Sequence, residues 1–120
     1  MSHTTVQNDE QLIRRGQIRD GMTFMQRTWA LCARIPRGSI ATYGDLARAL
    51  GAPGAARAVG LAMARNPDAP AVPCHRVVGA DGSLHGFQGG LAKKAALLRA
   101  EGVPIVDGKA DLACRHRFAR

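Results

Sequence analysis

Apolar positions change their spacing several times along the chain, and each change marks an element. Through residues 1–20 they are sparse: Val6, Leu12, Ile13 and Ile18 form a thin stripe among polar residues, which predicts a frayed segment or a short helix. From Thr23 onward Phe24, Leu31 and Ile35 recur at helical spacing beside Met25, Trp29 and Cys32, until Pro36-Arg37-Gly38 ends the pattern. Thr42, with Asp45 three positions on, forms a box-like cap for a second helix whose inner face is Leu46, Ala47 and Leu50; Gly51 stops it. After the turn Ala52-Pro53-Gly54 a further helical stretch runs from Ala55 to Arg65, with Val59, Ala62 and Met63 turned inward and Asn66-Pro67 at its end. Past Pro70 the pattern shortens to extended pieces at Ala71-Val72, Val77-Val78 and Ser83-Leu84, the last two separated by the turn Gly79-Ala80-Asp81-Gly82. A loop over Gly86-Phe87-Gln88-Gly89-Gly90 opens a helix from Leu91 to Ala100, whose shared face is Leu91, Ala95 and Leu98. Val103 to Val106 and Asp107-Gly108 read as a short hairpin edge before a basic tail, Arg115 to Arg120.

Composition narrows the class. A chain of 120 residues suits one domain with one core. Residues 1–22 read as a polar extension and 23–120 as the domain proper. Hydrophobic residues make up 46% and aromatics 4%, so Ala, Leu, Val and Ile must build the core and the helices pack closely. No apolar run approaches a membrane span and the polar start lacks a signal-peptide core, so the expectation is a cytoplasmic protein without membrane contact. Cys32, Cys74 and Cys114 form neither an even disulfide set nor a paired zinc spacing; no metal is expected, and Cys32 is most simply core. The net charge of +8 is concentrated mid-chain, where residues 21–66 carry six arginines against Asp45 alone. Such a surface attracts phosphate backbones and releases counterions on binding them.

Two features carry chemistry. Helix, tight turn and helix over residues 42–65 has the form of a helix-turn-helix whose second element lies along a DNA groove, with Ala58, Gly60 and Ala64 small enough for close approach and Arg57 in the first turns. A compact helical hairpin fits the same pattern. The other feature is Pro73-Cys74-His75-Arg76-Val77-Val78, where a thiol stands next to an imidazole between a proline and a β-branched run. A cysteine nucleophile acts as thiolate, and an imidazole or nearby cations favour that form; a buried inert cysteine is the alternative. Side chains adjacent in an extended segment point apart, so a direct Cys74–His75 pair would need a turn or a water.

Pro73-Cys74-His75-Arg76-Val77 joins Thr42-Tyr43-Gly44, Ala56-Arg57-Ala58-Val59-Gly60, Asn66-Pro67, Gly89-Gly90-Leu91 and Leu97-Leu98 followed by Glu101-Gly102 at consistent separations. Over roughly residues 23–103 this set resembles the C-terminal domain of the O6-alkylguanine-DNA alkyltransferases, which move an alkyl group from a damaged guanine to their own cysteine. The resemblance implies a mostly helical α/β fold with a winged helix-turn-helix-like DNA-binding domain, acting as a monomer without cofactor. It implies Cys74 as alkyl acceptor, His75 and Glu101 as a proton relay, Asn66 as the brace of the active-site turn and Tyr43 as the hydroxyl that protonates the departing guanine. DNA contacts would come from Arg57, Ala58, Gly60, Thr42 and Arg65 in the minor groove, Arg57 filling the space of the extruded nucleotide. The base pocket would comprise Tyr43, Val77, Phe87, Gln88 and Lys94, while Arg76 would be structural.

The chain departs from the family pattern in three ways. An additional N-terminal domain, common in the family, has no counterpart beyond about twenty residues; Phe87 stands where tyrosine is common; and Gln88 replaces a smaller residue. Its layout is also similar to that of the alkyltransferase-like proteins, which bind alkylated DNA, recruit excision repair and lack the acceptor cysteine. Retention of Cys74 favours a single-turnover methyltransferase acting on duplex DNA that contains O6-alkylguanine over such a lesion sensor. A transcriptional helix-turn-helix would need polar base-reading side chains on its second helix, and these are missing.

Overall fold

The computed structural model describes residues 8–85, 87 and 89–118; Gln88 and the first seven residues of the polar extension lie outside the described residues. Among the described residues five α-helices and two small sheets make an α/β fold. Helix α1 (Asp9–Arg14) starts at Asn8, whose side chain accepts from the Gln11 N–H. Helix α2 (Phe24–Ala33) begins in a full capping box between Thr23 and Gln26. The expected box of Thr42 and Asp45 is present at the head of α3 (Tyr43–Ala49), satisfying two backbone donors that a helix start leaves open. Helix α4 (Ala56–Ala64) follows the turn, and the Trp29 indole N–H ties α2 to it by donating to the Ala62 carbonyl at 2.7 Å.

Strand β1 (Ala41–Thr42) pairs in parallel with β2 (Val77–Val78), in the register Ala41 to Val77 and Thr42 to Val78. Because side chains alternate across a strand, this narrow sheet divides two cores. Ala41 and Val77 face the cluster of Ile13, Met22, Leu46, Val59 and Ala62. Ile40 and Val78 face Leu84, Ala95, Leu98 and Val103, in the half built on α5 (Leu91–Ala100). Strands β3 (Ile105–Val106) and β4 (Lys109–Ala110) form the expected hairpin, and Ser83 bridges to Lys109. Gly82, with φ +88°, lies so close to this hairpin that a Cβ would fall 2.4 Å from the Ala110 carbonyl oxygen, so both its backbone angle and its contact require glycine. Among the described residues no helix is long and apolar enough to cross a membrane.

Three local expectations change. Cys74–Arg76 is a 3-10 turn, and Ala71-Val72 is a turn and bend rather than a strand, because Asn66 and Asp68 hold the loop closed by hydrogen bonds. On α5 the buried positions are Lys94, Ala95 and Leu98, while Leu91 is 48% exposed. The helix is rotated toward a lysine whose head group finds buried carbonyl partners. Ile13 and Met22, from the polar segment, are buried in the first core.

Candidate active site

The turn carrying Cys74 is held from three directions. Asn66, just past α4, donates from its amide to the Val72 carbonyl at 2.8 Å and accepts the Asp68 N–H at 2.9 Å. Val72 N–H donates back to the Asp68 carbonyl, and Cys74 N–H donates to the Val72 carbonyl. Arg14 of α1 clasps the Asp68 carboxylate with two hydrogen bonds at 2.6 and 2.9 Å. Helix α1 thus braces the loop that presents the cysteine.

Within the 3-10 turn the three side chains separate. Cys74 is half-buried, His75 is buried and Arg76 reaches inward. His75 Nε2 lies 3.0 Å from Glu101 Oε2, and Arg76 donates to both oxygens of the same carboxylate at 2.8 Å and to the Ile35 carbonyl at 2.7 Å. Burial resists ionisation of Glu101, but the hydrogen bonds from Arg76 and His75 outweigh it and hold the carboxyl down at about 2. An ionised carboxylate only accepts, so the His75 proton sits on Nε2 and Nδ1 is left as a base. Burial lowers the His75 pKa against the pull of Glu101, which keeps the ring neutral at neutral pH.

Cys74 and His75 line one cavity of about 430 Å³, walled by Met63, Pro70, Phe87 and Leu97, with Asn66 and Lys93 at its polar edge. A more open groove of about 860 Å³ adjoins it, lined by Tyr43, Arg57, Gly60, His85 and Phe87. Ala64 and Phe87 border both. Tyr43, the first residue of α3, is half-buried, and burial pushes its hydroxyl up to about 12, so it stays a proton donor at neutral pH.

The expected site residues therefore divide. Cys74, His75, Asn66 and Phe87 meet at the cavity, with Glu101 behind His75. Tyr43, Arg57 and Gly60 share the adjoining groove. Arg57 and Ala58 on α4 and Arg65 at its C-terminal cap are exposed, and neither guanidinium has a hydrogen-bond or ion-pair partner among the described residues. Thr42, expected with them, is instead 2% exposed, its hydroxyl taken up as the α3 cap. Val77 and Lys94, expected in the base pocket, line neither space: Val77 is buried, and Lys94 donates to the Val77 and His85 carbonyls at 2.7 and 2.9 Å. Burial lowers that lysine to about 8. Gln88 lies outside the described residues. Sequence reasoning missed the double clasp of Arg76 on Glu101, since residues 25 positions apart leave no periodic signal. It also missed Lys93, whose neighbour Lys94 carried the expected role. Among the described residues no group of three His, Cys, Asp or Glu side chains could hold a metal ion.

Residues 23–103 match the model of the 6-O-methylguanine DNA methyltransferase, DNA binding domain. The chain is 56% identical over 81 residues to a methylated-DNA–protein-cysteine methyltransferase of Mycobacterium leprae, covering 68% of this chain and 49% of that protein. It is 50% identical over 82 residues to the Salmonella typhimurium protein of the same name, covering 68% and 48%. The chain thus spans about half the length of the curated relatives it matches. Among solved structures it resembles Mycobacterium tuberculosis OGT in complex with DNA, at 44% identity and TM-score 0.65, covering 78% of this chain and 63% of that one. It also resembles S. pombe Atl1 in complex with damaged DNA containing O6-carboxymethylguanine, at 30% identity and TM-score 0.71, covering 79% and 95%. With a family model spanning two thirds of its residues and the cysteine, histidine and glutamate of the motif joined in one cluster, the chain belongs to the 6-O-methylguanine DNA methyltransferase family through that family's DNA-binding domain.

Proposed function

We propose that this chain repairs duplex DNA by moving an alkyl group from O6-alkylguanine to Cys74. The observation that carries the reading is the shared cavity of Cys74 and His75, with the imidazole locked to an ionised Glu101. His75 Nδ1 takes the thiol proton, directly or through water, and the thiolate attacks the alkyl carbon. A carbon–sulfur bond forms as the bond from that carbon to guanine O6 breaks. The electron pair leaves with the base, which takes up a proton donated by the Tyr43 hydroxyl, and the thiol proton held on His75 passes through water to restore that hydroxyl. The product is a thioether, a poor leaving group, so each molecule acts once and no cofactor enters.

Such chemistry on a stacked base requires extrusion of the nucleotide. The exposed face of α4, with Ala58, Leu61 and Ala64 between Arg57 and Arg65, suits close approach to a minor groove, and Arg57 fills the vacated stack. The protein works as a cytoplasmic monomer. A second reading, a sensor that flips the lesion and hands it to excision-repair proteins, draws support from the coverage of 95% of the Atl1 chain.

Intact-protein mass spectrometry after incubation with duplex DNA bearing O6-methylguanine separates the two. A gain of one methyl group on Cys74, absent in Cys74→Ser, supports repair. Selective binding without mass gain would refute transfer and leave the sensor.

A further inference from the structure

We propose that Lys93 makes the Cys74 cavity selective for adducts whose alkyl group carries a negative charge, a specificity that rests on the lesion-binding reading above. Lys93 is the one charged side chain among the described residues lining the cavity, beside the neutral His75 imidazole, and the rest of the wall is largely apolar. Its ammonium has no hydrogen-bond or ion-pair partner among the described residues. Lys94 beside it is satisfied by two carbonyls.

The position is otherwise a poor one for a cation. Lys93 is the third residue of α5, and no acidic residue stands in that first turn to offset the positive end of the helix dipole. A cation kept where the local electrostatics oppose it, at the wall of a reactive cavity, is the kind of broken local rule that marks a binding role. The loop leaves it room: a Cβ on Gly89, whose φ is +97°, would approach the Lys93 Cδ to 3.0 Å, so glycine lets the lysine stem cross the loop toward the cavity.

A methyl adduct offers the ammonium nothing. Carboxymethyl, the smallest alkyl adduct that adds a carboxylate, gives this exposed ammonium at the cavity edge an ion pair that a neutral adduct of the same size does not. The same ammonium would also suit a DNA phosphate, and the two anions predict different selectivities.

The test is equilibrium binding, read in a Cys74→Ser background so that no transfer intervenes. Three duplexes of one sequence carry O6-methylguanine, O6-carboxymethylguanine or the neutral isostere O6-carbamoylmethylguanine, beside an undamaged control. The preference for carboxymethyl over carbamoylmethyl is expected to fall about fivefold on Lys93→Gln, the scale of one partly exposed ion pair, and to survive Lys93→Arg. An unchanged preference, with lesion binding intact, would overturn the role of Lys93 alone. Equal weakening of all three duplexes would also overturn it, assigning the lysine to a phosphate. Failure of every damaged duplex to bind above the control would overturn the lesion-binding reading and this proposal with it.

Discussion

Replacing Glu101 by glutamine should destabilise the protein at neutral pH and should do so less as the pH falls. The carboxyl is 7% exposed and held at about 2, against an ordinary value of 4.5, by two hydrogen bonds from Arg76 and one from His75. A carboxylate with a depressed folded-state pKa adds stability above its unfolded pKa, and that stability is lost as pH drops through the folded value. The gap from 4.5 to about 2 corresponds to about 3 kcal/mol, complete above about pH 5, down to about 1 kcal/mol at pH 3 and gone near pH 1. Glutamine keeps the shape but leaves the Arg76 guanidinium without a countercharge. Its amide can also donate to His75 Nε2, which would move the ring proton to Nδ1 and remove the base that the proposed relay requires. Urea unfolding of the wild type and Glu101→Gln at pH 7, 5 and 3 measures the first effect, because subtracting the variant cancels the other carboxylates. The pH dependence of iodoacetamide labelling at Cys74 measures the second. A stability difference that stays constant from pH 7 to pH 3 would refute the charge pairing, and an unaltered labelling curve would refute the relay.

Asn66→Ala should cost about 1–3 kcal/mol in urea unfolding, because it strips partners from the Asp68 N–H and the Val72 carbonyl; a change below about 0.5 kcal/mol would contradict its bracing role. His75 should titrate below 6.5 by NMR, so its neutral-ring stability is fully present above pH 6.5 and is lost as pH falls through the folded value; a midpoint at or above 6.5 would reverse the balance of burial over Glu101. Lys94→Met should abolish a rise in stability of about 2–3 kcal/mol between pH 8 and 10.5, since across that window the folded lysine, lowered to about 8, has given up its proton while the unfolded one still holds it; equal slopes in wild type and variant would count against a charged buried lysine. Arg57→Ala should reduce the fluorescence gain of 2-aminopurine placed at the lesion more than it reduces DNA affinity, and an unchanged gain would remove its wedge role.

Much of this architecture was legible because its signals are local. Thr42 and Asp45 announce a helix start through a rule that spans three residues, and the box forms. Cys74, His75 and Arg76 were legible as chemistry because their types are adjacent. Their directions were not, because a 3-10 turn imposed by Asn66 and Asp68 replaces the extended geometry that Val77 and Val78 suggest. Thr42 shows the converse. One hydroxyl suits both a cap and a DNA contact, and only the folded chain reveals that the cap has taken it. The Arg14 clasp on Asp68, 54 positions away, has no periodic trace at all.

Lys93 and Lys94 show how far adjacent identical residues diverge once helical phase is fixed. Successive positions on an α-helix differ by about 100°, so one lysine must face away from where the other points. Hydrophobic patterning alone would turn Leu91 inward and leave both lysines in water. The structure instead buries Lys94 at 1% exposure and leaves Leu91 out, which is favourable only because the Val77 and His85 carbonyls need a buried donor as much as the ammonium needs acceptors. That exchange couples β2, which continues directly from the Cys74 turn, to the residue 85 end of the loop that carries Phe87. It also fixes the rotation of α5 that brings Lys93 to the cavity. The position of Lys93 at the cavity is therefore a consequence of the buried Lys94, and a substitution at Lys94 should disturb selectivity at Lys93 without touching the cavity wall.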